Sequence, residues 1–344
     1  MPRHTITSPR LRRLAVLAIG VTTAVTLTAC TADTDSTTTA GRGGRAAASA
    51  SPAPTGVVTT KEASKIVSAY ENSNNRANKA RDSRLLATVE AGAVNVQSRA
   101  DYQQFKTWTK KEQTEYGSPF RYERREFAIP RKGTASWFAV TATATGAKDR
   151  ALLIFDKVDG TYKLVMALYT DTKEPLPELA FDKNGFAEAV DPAKQVGSLA
   201  PNQVGAAFED LVETGGKKTG AKLAPTPLTK SAVQLYTERD KQDNSKYATN
   251  RYFAKPPKDP SVYALKLANG GVLAAFPSAH TGETLLRPAF MASYKINPSK
   301  REAVYNSTSR VVIVDEYQGQ GLAELPPTGK ARVISREYRL VDSR

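Results

Sequence analysis

The sequence predicts an α+β protein of two domains, each with helices followed by a curved antiparallel sheet. Two patterns carry this prediction. The helical spacing of apolar residues changes to strand-like alternation near residue 120, and the same change recurs after residue 201. The length of 344 residues is enough for about two domains. A hydrophobic content of 40% and a charged content of 24% are typical of a globular protein and exclude a collagen-like or wholly disordered chain.

The first predicted domain covers residues 57–175 and begins with helices. Thr59 and Glu62 have the spacing of a capping box, which predicts that a helix begins here. Asp82 is the predicted cap of a second, shorter helix, and a third helix is predicted from Asp101. Strands are then predicted over residues 120–129, 136–145, 150–157 and 161–170.

The second predicted domain covers residues 201–344 and follows a connector at residues 176–200. Its predicted helices cover residues 201–214 and 228–242. Its predicted strands lie near residues 246–253, 261–268, 271–277, 302–316 and 331–341. This order of helices and strands resembles the cystatin-like and NTF2-like cone folds of bacterial envelope lipoproteins. The resemblance implies a sheet interior with room for a pocket lined by residues such as Trp137, Phe138 or Tyr169.

The first thirty residues have the composition of an export signal. Four arginines and no acid occur before Leu14, and residues 14–26 form an uncharged run too short to span a bilayer core of about 30 Å. Leu27-Thr28-Ala29-Cys30 then resembles the lipobox of actinobacterial-type envelope lipoproteins. The resemblance implies that residues 1–29 are a signal peptide, that Cys30 carries a thioether-linked diacylglycerol, and that the protein stays on the outer face of the cytoplasmic membrane. An ordinary signal peptide cut elsewhere is the alternative.

Residues 30–56 are predicted to link the acylated cysteine to the folded part. Residues 31–56 contain no Val, Ile, Leu, Met or aromatic residue, so they have nothing to contribute to a core. We interpret them as a flexible spacer with an average span of about 25–30 Å. Residues 57–344 are therefore expected to fold on their own.

The chain is strongly basic, with a formal net charge of +15 that falls to about +11 once the four signal arginines are removed. Nucleic acid is not an expected partner, because the protein is exported. Residues 119–132 are a candidate surface for the phosphates or carboxylates of an anionic polymer. Extended backbone would place its side chains alternately on two faces. The cations of this segment are Arg121, Arg124, Arg125, Arg131 and Lys132. A solvated strand edge protected by charge is the alternative.

The residues that most enzymes use are scarce. The chain has one Cys and two His, and it contains no nucleophile-elbow, nucleotide-binding or zinc-protease motif. His280 is predicted to lie in an exposed loop after a strand. The carboxylate pairs considered for hydrolysis are Asp156 with Asp159 and Asp315 with Glu316. No catalytic residue, metal site or cofactor is predicted.

The sequence therefore predicts a non-enzymatic binding or interaction module at the cell envelope. The predicted partners are the membrane, through the diacylglycerol on Cys30, and an anionic envelope polymer or another envelope protein. An envelope hydrolase with carboxylates in a domain cleft and a small-molecule binder with a cone pocket are the alternatives.

Overall fold

A computed structural model describes residues 54–170 and 174–344, and it confirms the predicted α+β class with two antiparallel sheets. The predicted signal peptide, Cys30 and the linker up to residue 53 lie outside the described residues. Within the described part of the chain, no helix is both long enough and apolar enough to cross a membrane.

The first sheet follows four helices in the chain. The helices are α1 (Thr60–Ala80), α2 (Ser83–Ala87), α3 (Gly92–Gln104) and α4 (Lys110–Gly117). The strands are β1 (Tyr122–Ala128), β2 (Trp137–Ala144), β3 (Arg150–Val158) and β4 (Thr161–Thr170), and they pair in the order β1-β2-β3-β4. The sheet is a meander, because each strand pairs with the next one in sequence.

The predicted helix caps are confirmed. The Thr59 side chain accepts from the Glu62 backbone N–H, and the Glu62 side chain accepts from the Thr59 backbone N–H. Asp82 accepts from two backbone N–H groups at the start of α2. The predicted start of the third helix at Asp101 is wrong, because α3 begins at Gly92 and Asp101 lies in its last turn. This start carries no side-chain cap, so the sequence offers no cue there.

The second sheet follows two helices, α5 (Val204–Thr214) and α6 (Pro227–Thr237). Its strands are β5 (Ala248–Lys255), β6 (Tyr263–Lys266), β7 (Val272–Leu286), β8 (Val312–Leu325) and β9 (Arg332–Ser343). They pair in the order β5-β7-β8-β9, and β6 pairs with β7 beside β5.

Two predicted strand boundaries in this sheet are wrong. β7 does not end at residue 277 but continues to Leu286. Pro277 is accommodated because β6 pairs with β7 only as far as Ala275 and β5 pairs only from Ala279, so no partner on that side needs its missing N–H. β8 begins at Val312 rather than near residue 302, because residues 302–304 form a 3-10 turn.

The core has four layers, in the order helix, sheet, sheet, helix. One face of the first sheet packs against α1, and α5 packs against the far face of the second sheet. A central apolar cluster lies between the two sheets, with Leu152 and Ile154 on one side and Leu273 and Leu322 on the other. β2 is buried along its whole length for this reason, since both of its faces are covered. The two predicted domains thus share a core, and their boundaries remain a prediction.

Candidate anion-binding surface

The predicted basic segment spans β1 and its flanking residues, and among the described residues β1 is the edge strand beside β2. The strand is interrupted by a register shift between Glu123 and Glu126, and Arg124 has a left-handed φ of 49°. This bulge breaks the simple alternation of faces that the sequence predicts for the arginines. Arg121 and Arg124 are exposed, whereas Arg125 is half-buried and turns towards α1.

Arg125 ties β1 to α1. Its Nη2 lies 2.7 Å from Glu71 Oε1, its Nε donates to the Tyr122 carbonyl at 2.8 Å, and its Nη1 donates to Ser68 Oγ at 3.0 Å. Glu71 is fully buried and also accepts from the Tyr122 backbone N–H at 2.6 Å. The charge of Arg125 is therefore already matched inside the fold.

Arg131 is also matched by an acid of the chain. Its Nε donates to Asp182 Oδ2 at 2.6 Å, which attaches the connector that follows β4 to the end of β1. Lys132, the next residue, is exposed. Of the five predicted anion-binding residues, Arg121, Arg124 and Lys132 thus remain exposed cations without an ion pair to another described residue.

A second row of cations, which the sequence analysis missed, lies on α1. At 100° per residue its members fall within an arc of about 60° and cover about 27 Å of the helix. The row consists of Lys61, Lys65, Arg76 and Lys79, all of them exposed. The buried side chains of α1, such as Val67 and Tyr70, lie on the opposite face. Measuring the helical phase from those apolar positions would have found this row in the sequence.

The two rows lie on adjacent elements that run in opposite directions. Near one end, Asn75 of α1 donates to the Phe120 carbonyl at 2.8 Å, which places Arg76 and Arg121 on neighbouring segments. At the other end, the Val57 N–H donates to the Pro130 carbonyl at 2.9 Å, just before α1 begins. We call the seven exposed cations the α1–β1 basic surface, formed by Lys61, Lys65, Arg76, Lys79, Arg121, Arg124 and Lys132.

Few acids oppose this surface. Glu62 is engaged in the cap of α1, and Glu123 on β1 accepts from Thr145 Oγ1 at 3.4 Å. None of the four α1 cations lies within ion-pair distance of a described acid, although the charge of Lys65 helps to lower the pKa of Glu62. This face of α1 therefore keeps an excess of positive charge that can attract an anion. The first described residues lie beside Arg131 and Lys132. Gly56 pairs with Arg131, and the Lys132 N–H donates to the Thr55 carbonyl at 2.8 Å.

His280 is a correction to the sequence analysis, which expected an exposed loop residue. It is buried within β7, and its Nδ1 lies 3.1 Å from Glu209 Oε2. Burial would raise the pKa of Glu209, but the charges of Arg336 and His280 lower it below its ordinary value. Ser278 Oγ accepts from Arg336 at 2.6 Å, so Ser278, His280 and Arg336 join Glu209 in a buried charge network.

The carboxylate pairs considered for hydrolysis have separate structural surroundings. Asp156 accepts from Ser136 Oγ at 2.7 Å and from the Tyr263 hydroxyl at 2.9 Å, whereas Asp159 lies in the turn after β3 with a left-handed φ of 51°. Asp315 is buried, and burial together with the nearby Glu302 carboxylate raises its pKa to about 7.

Glu316, the other member of the second pair, forms an ion pair with Lys258 at 3.0 Å. The residues expected to line a cone pocket are packed: Trp137 contacts the Tyr263 ring, while Phe138, on the opposite face of β2, stacks on Phe155. Tyr169 lies with its hydroxyl 3.1 Å from that of Tyr122.

One open groove of about 500 Å³ lies beside the first sheet. Its apolar lining includes Phe127, Leu176 and Phe181, and its polar end holds Arg150, which is paired with Glu126. Within the described residues, no group of three or more His, Cys, Asp or Glu side chains is arranged to hold a metal ion.

Comparison with known proteins gives a family and three named relatives. The family model described as "Domain of unknown function (DUF8094)" matches residues 54–344. An uncharacterized lipoprotein of Streptomyces coelicolor is 29% identical over 263 residues, which cover 74% of this chain and 73% of that protein. A second lipoprotein of that organism is 28% identical, covering 64% of this chain and 67% of its own.

A third relative, an uncharacterized lipoprotein of Streptomyces avermitilis, is 25% identical and covers 64% of this chain and 65% of its own. No solved structure matches the chain significantly.

Proposed function

The chain belongs to the DUF8094 family, a domain of unknown function, and from this premise we propose that it is a lipid-anchored binding protein of the cell envelope. In this proposal the diacylglycerol on Cys30 holds the protein on the outer face of the cytoplasmic membrane. The α1–β1 basic surface then binds an anionic envelope polymer through its phosphates or carboxylates.

The anchor is supported by two independent observations. The three relatives are named lipoproteins, and the sole cysteine of this chain follows Leu27-Thr28-Ala29, directly after an export signal. Two acyl chains give durable membrane attachment, whereas one chain gives only marginal binding. Cleavage before Cys30 would leave a spacer that joins the fold beside the α1–β1 basic surface.

The observation that carries the binding role is the row of four exposed cations on α1. Lys61, Lys65, Arg76 and Lys79 share one face over about 27 Å, which suits a linear polyanion better than a compact ligand. No ion pair to a described acid diverts their charge. A hydrolase is less well supported, because Asp156 is engaged by the Tyr263 hydroxyl and Glu316 is ion-paired with Lys258, so neither considered pair consists of two unengaged carboxylates.

The proposal is tested with defined polymers. Fluorescently labelled polyphosphate supplies phosphates and poly-glutamate supplies carboxylates, and their affinity for the purified lipidated protein in nonionic micelles is measured at increasing salt. Replacing the four α1 cations by Gln keeps the helix propensity and the exposed surface polar. We expect the affinity for at least one polymer to fall about tenfold or more at low salt, and the salt dependence to become shallower.

A matched variant controls for the loss of net charge. It replaces four exposed cations elsewhere by Gln, namely Lys194, Lys222, Lys230 and Lys241. This control is expected to keep most of the affinity and the steeper salt dependence. Equal losses in the two variants would contradict a specific surface on α1, and no binding of either polymer by the unmodified protein would contradict the polyanion role.

A further inference from the structure

The connection between β7 and β8 is long, and it carries a surface that the proposed function does not use. It runs from residue 287 to residue 311, whereas most connections between paired strands have only a few residues. Ordered connections of this length are usually functional. The segment pairs with itself, since Ile296 and Arg310 exchange backbone hydrogen bonds of 2.7 and 3.1 Å.

Further contacts hold the connection in one conformation. The Glu302 side chain accepts from the Ser299 backbone N–H at 2.5 Å, which closes the 3-10 turn. The Tyr305 hydroxyl donates to the Leu340 carbonyl of β9 at 3.0 Å. The Arg287 N–H donates to the Tyr247 carbonyl at 2.8 Å. The surface that this connection presents is therefore pre-organised.

Three aromatic rings form the outer part of this surface. Tyr247, Phe290 and Tyr294 contact one another with ring centroids 5.0 to 5.8 Å apart. Tyr294 is 51% exposed and Tyr247 is 37% exposed, although both are large aromatic residues. Single exposed apolar side chains are ordinary, but a contiguous exposed cluster marks an interaction site. We call these three residues the aromatic cluster.

The segment that carries two of the three rings is rich in positive charge. Residues 287–311 contain five cations and a single acid, Glu302, which is buried. The cations are Arg287, Lys295, Lys300, Arg301 and Arg310. Lys246 adds a sixth from the other side, with its Nζ 5.3 Å from the centre of the Tyr247 ring. The exposed charged side chains of residues 287–311 are therefore all cations, because Glu302 is buried.

Exposed aromatic surfaces commonly bind either sugars or membranes, and the geometry of these rings distinguishes between the two. A sugar ring stacks on a flat aromatic face, but these three rings are inclined to one another by 71°, 38° and 75° and offer no common plane. Tyrosines with polar tips, an apolar body and flanking cations instead match the boundary between lipid headgroups and acyl chains. Each Lys or Arg near an anionic leaflet adds to the attraction.

We propose that the aromatic cluster and the cations of residues 287–301 dock the protein on the anionic headgroup surface of the membrane. This inference rests on the proposed anchor only for the nearness of the bilayer, and it does not depend on polymer binding by the α1–β1 basic surface. Docking would give a tethered protein a preferred orientation instead of free movement around its spacer.

The test is hydroxyl-radical labelling of the lipidated protein reconstituted into vesicles. One set of vesicles contains equal parts of phosphatidylglycerol and phosphatidylcholine, and the other contains phosphatidylcholine alone. We expect labelling of Tyr294 and Met291 to be about threefold slower in the anionic vesicles, and high salt to remove the difference. Phe181, which is 49% exposed on another surface, should be labelled at the same rate in both.

A pair of charge variants makes the test specific. Lys295→Glu with Lys300→Glu should abolish the protection of Tyr294 and Met291. Lys183→Glu with Lys194→Glu changes the charge equally at exposed sites outside this surface, and it should leave the protection intact. The intact mass of each sample reports the lipid on Cys30, so a failed anchor is distinguishable from failed docking.

Three results would overturn the inference. The first is equal labelling of Tyr294 in the two kinds of vesicle. The second is protection in the Lys295→Glu, Lys300→Glu variant that matches the unmodified protein. The third is protection of Tyr294 that is the same with and without phosphatidylglycerol but increases with the density of protein on the vesicle. That result would indicate that the surface binds a second copy of the chain.

Discussion

The guanidinium of Arg336 donates to Glu209 Oε1 at 2.6 Å, and both side chains are almost completely buried between α5 and the second sheet. Arg336 is also stacked between the Phe208 and Tyr338 rings, at 3.8 and 3.5 Å. Burial lowers the pKa of this arginine to about 10, which still leaves it charged at neutral pH. Removing one partner of such a buried pair strongly destabilises the folded protein, because the remaining charge is buried without a partner and without water around it.

We therefore expect Arg336→Met to lower the free energy of unfolding by about 3–5 kcal/mol, measured by urea denaturation. Glu188→Gln is the matched control, because it breaks the half-exposed pair with Lys266 and should change stability by less than about 1 kcal/mol. Similar losses in both variants would contradict the structural role assigned to the buried network.

The stability of the protein should depend on pH through Asp315. Burial and the neighbouring Glu302 raise its pKa to about 7, whereas in the unfolded chain it is near 4. The folded state therefore binds more protons between these values, and the free energy of unfolding should fall as pH rises from about 4 to 7. Asp315→Asn should flatten this fall and raise stability at pH 8, by urea denaturation at each pH.

Asp159→Asn is the control for this effect, because it makes the same chemical change on a side chain that is 88% exposed. It should leave the pH profile of stability unchanged. A profile of Asp315→Asn identical to that of the unmodified protein would show that Asp315 does not carry the effect.

Gly321 should be intolerant of a side chain. A Cβ at this position would lie 2.5 Å from the ring of Phe276, which is completely buried. Gly321→Ala should therefore destabilise the protein by about 1–3 kcal/mol. Gly117→Ala is the matched substitution, because nothing lies within 4 Å of its Cβ, and thermal unfolding should show equal or slightly higher stability for that variant.

Cys30→Ala should prevent lipidation. Intact-mass analysis of the unmodified protein should give a chain that begins at Cys30 and carries a diacylglycerol. Thr28→Ser, which keeps a small residue before the cleavage site, should be processed normally. A diacylated product from Cys30→Ala would refute the assignment of the lipid to this sulfur.

The sequence predicted the elements whose signals are local. The Thr59 cap, the start of α2 after Asp82 and the four strands of the first sheet depend on neighbouring residues, and each lies within a few residues of its predicted place. The first sheet is an antiparallel meander, for which short-range turn signals are informative.

The errors arose where a distant partner decides the structure. Pro277 looks like the end of a strand, and only the gap between β5 and β6 explains why β7 continues through it. His280 looks like a loop residue for the same reason, and its burial depends on Glu209, 71 positions earlier. Arg125 looks like part of an exposed basic patch until Glu71, 54 positions away, is placed beside it.

The most direct test of the central proposal is sedimentation of the purified protein in nonionic micelles with lipid-free cell walls, at low and at high salt. The account predicts that the unmodified protein sediments at low salt and is released at high salt, as screening shortens the reach of its cations. It also predicts that replacing Lys61, Lys65, Arg76 and Lys79 by Gln removes most of the low-salt binding. Equal sedimentation of the two proteins at low salt, or none of either, would contradict a polyanion-binding role for the α1–β1 basic surface.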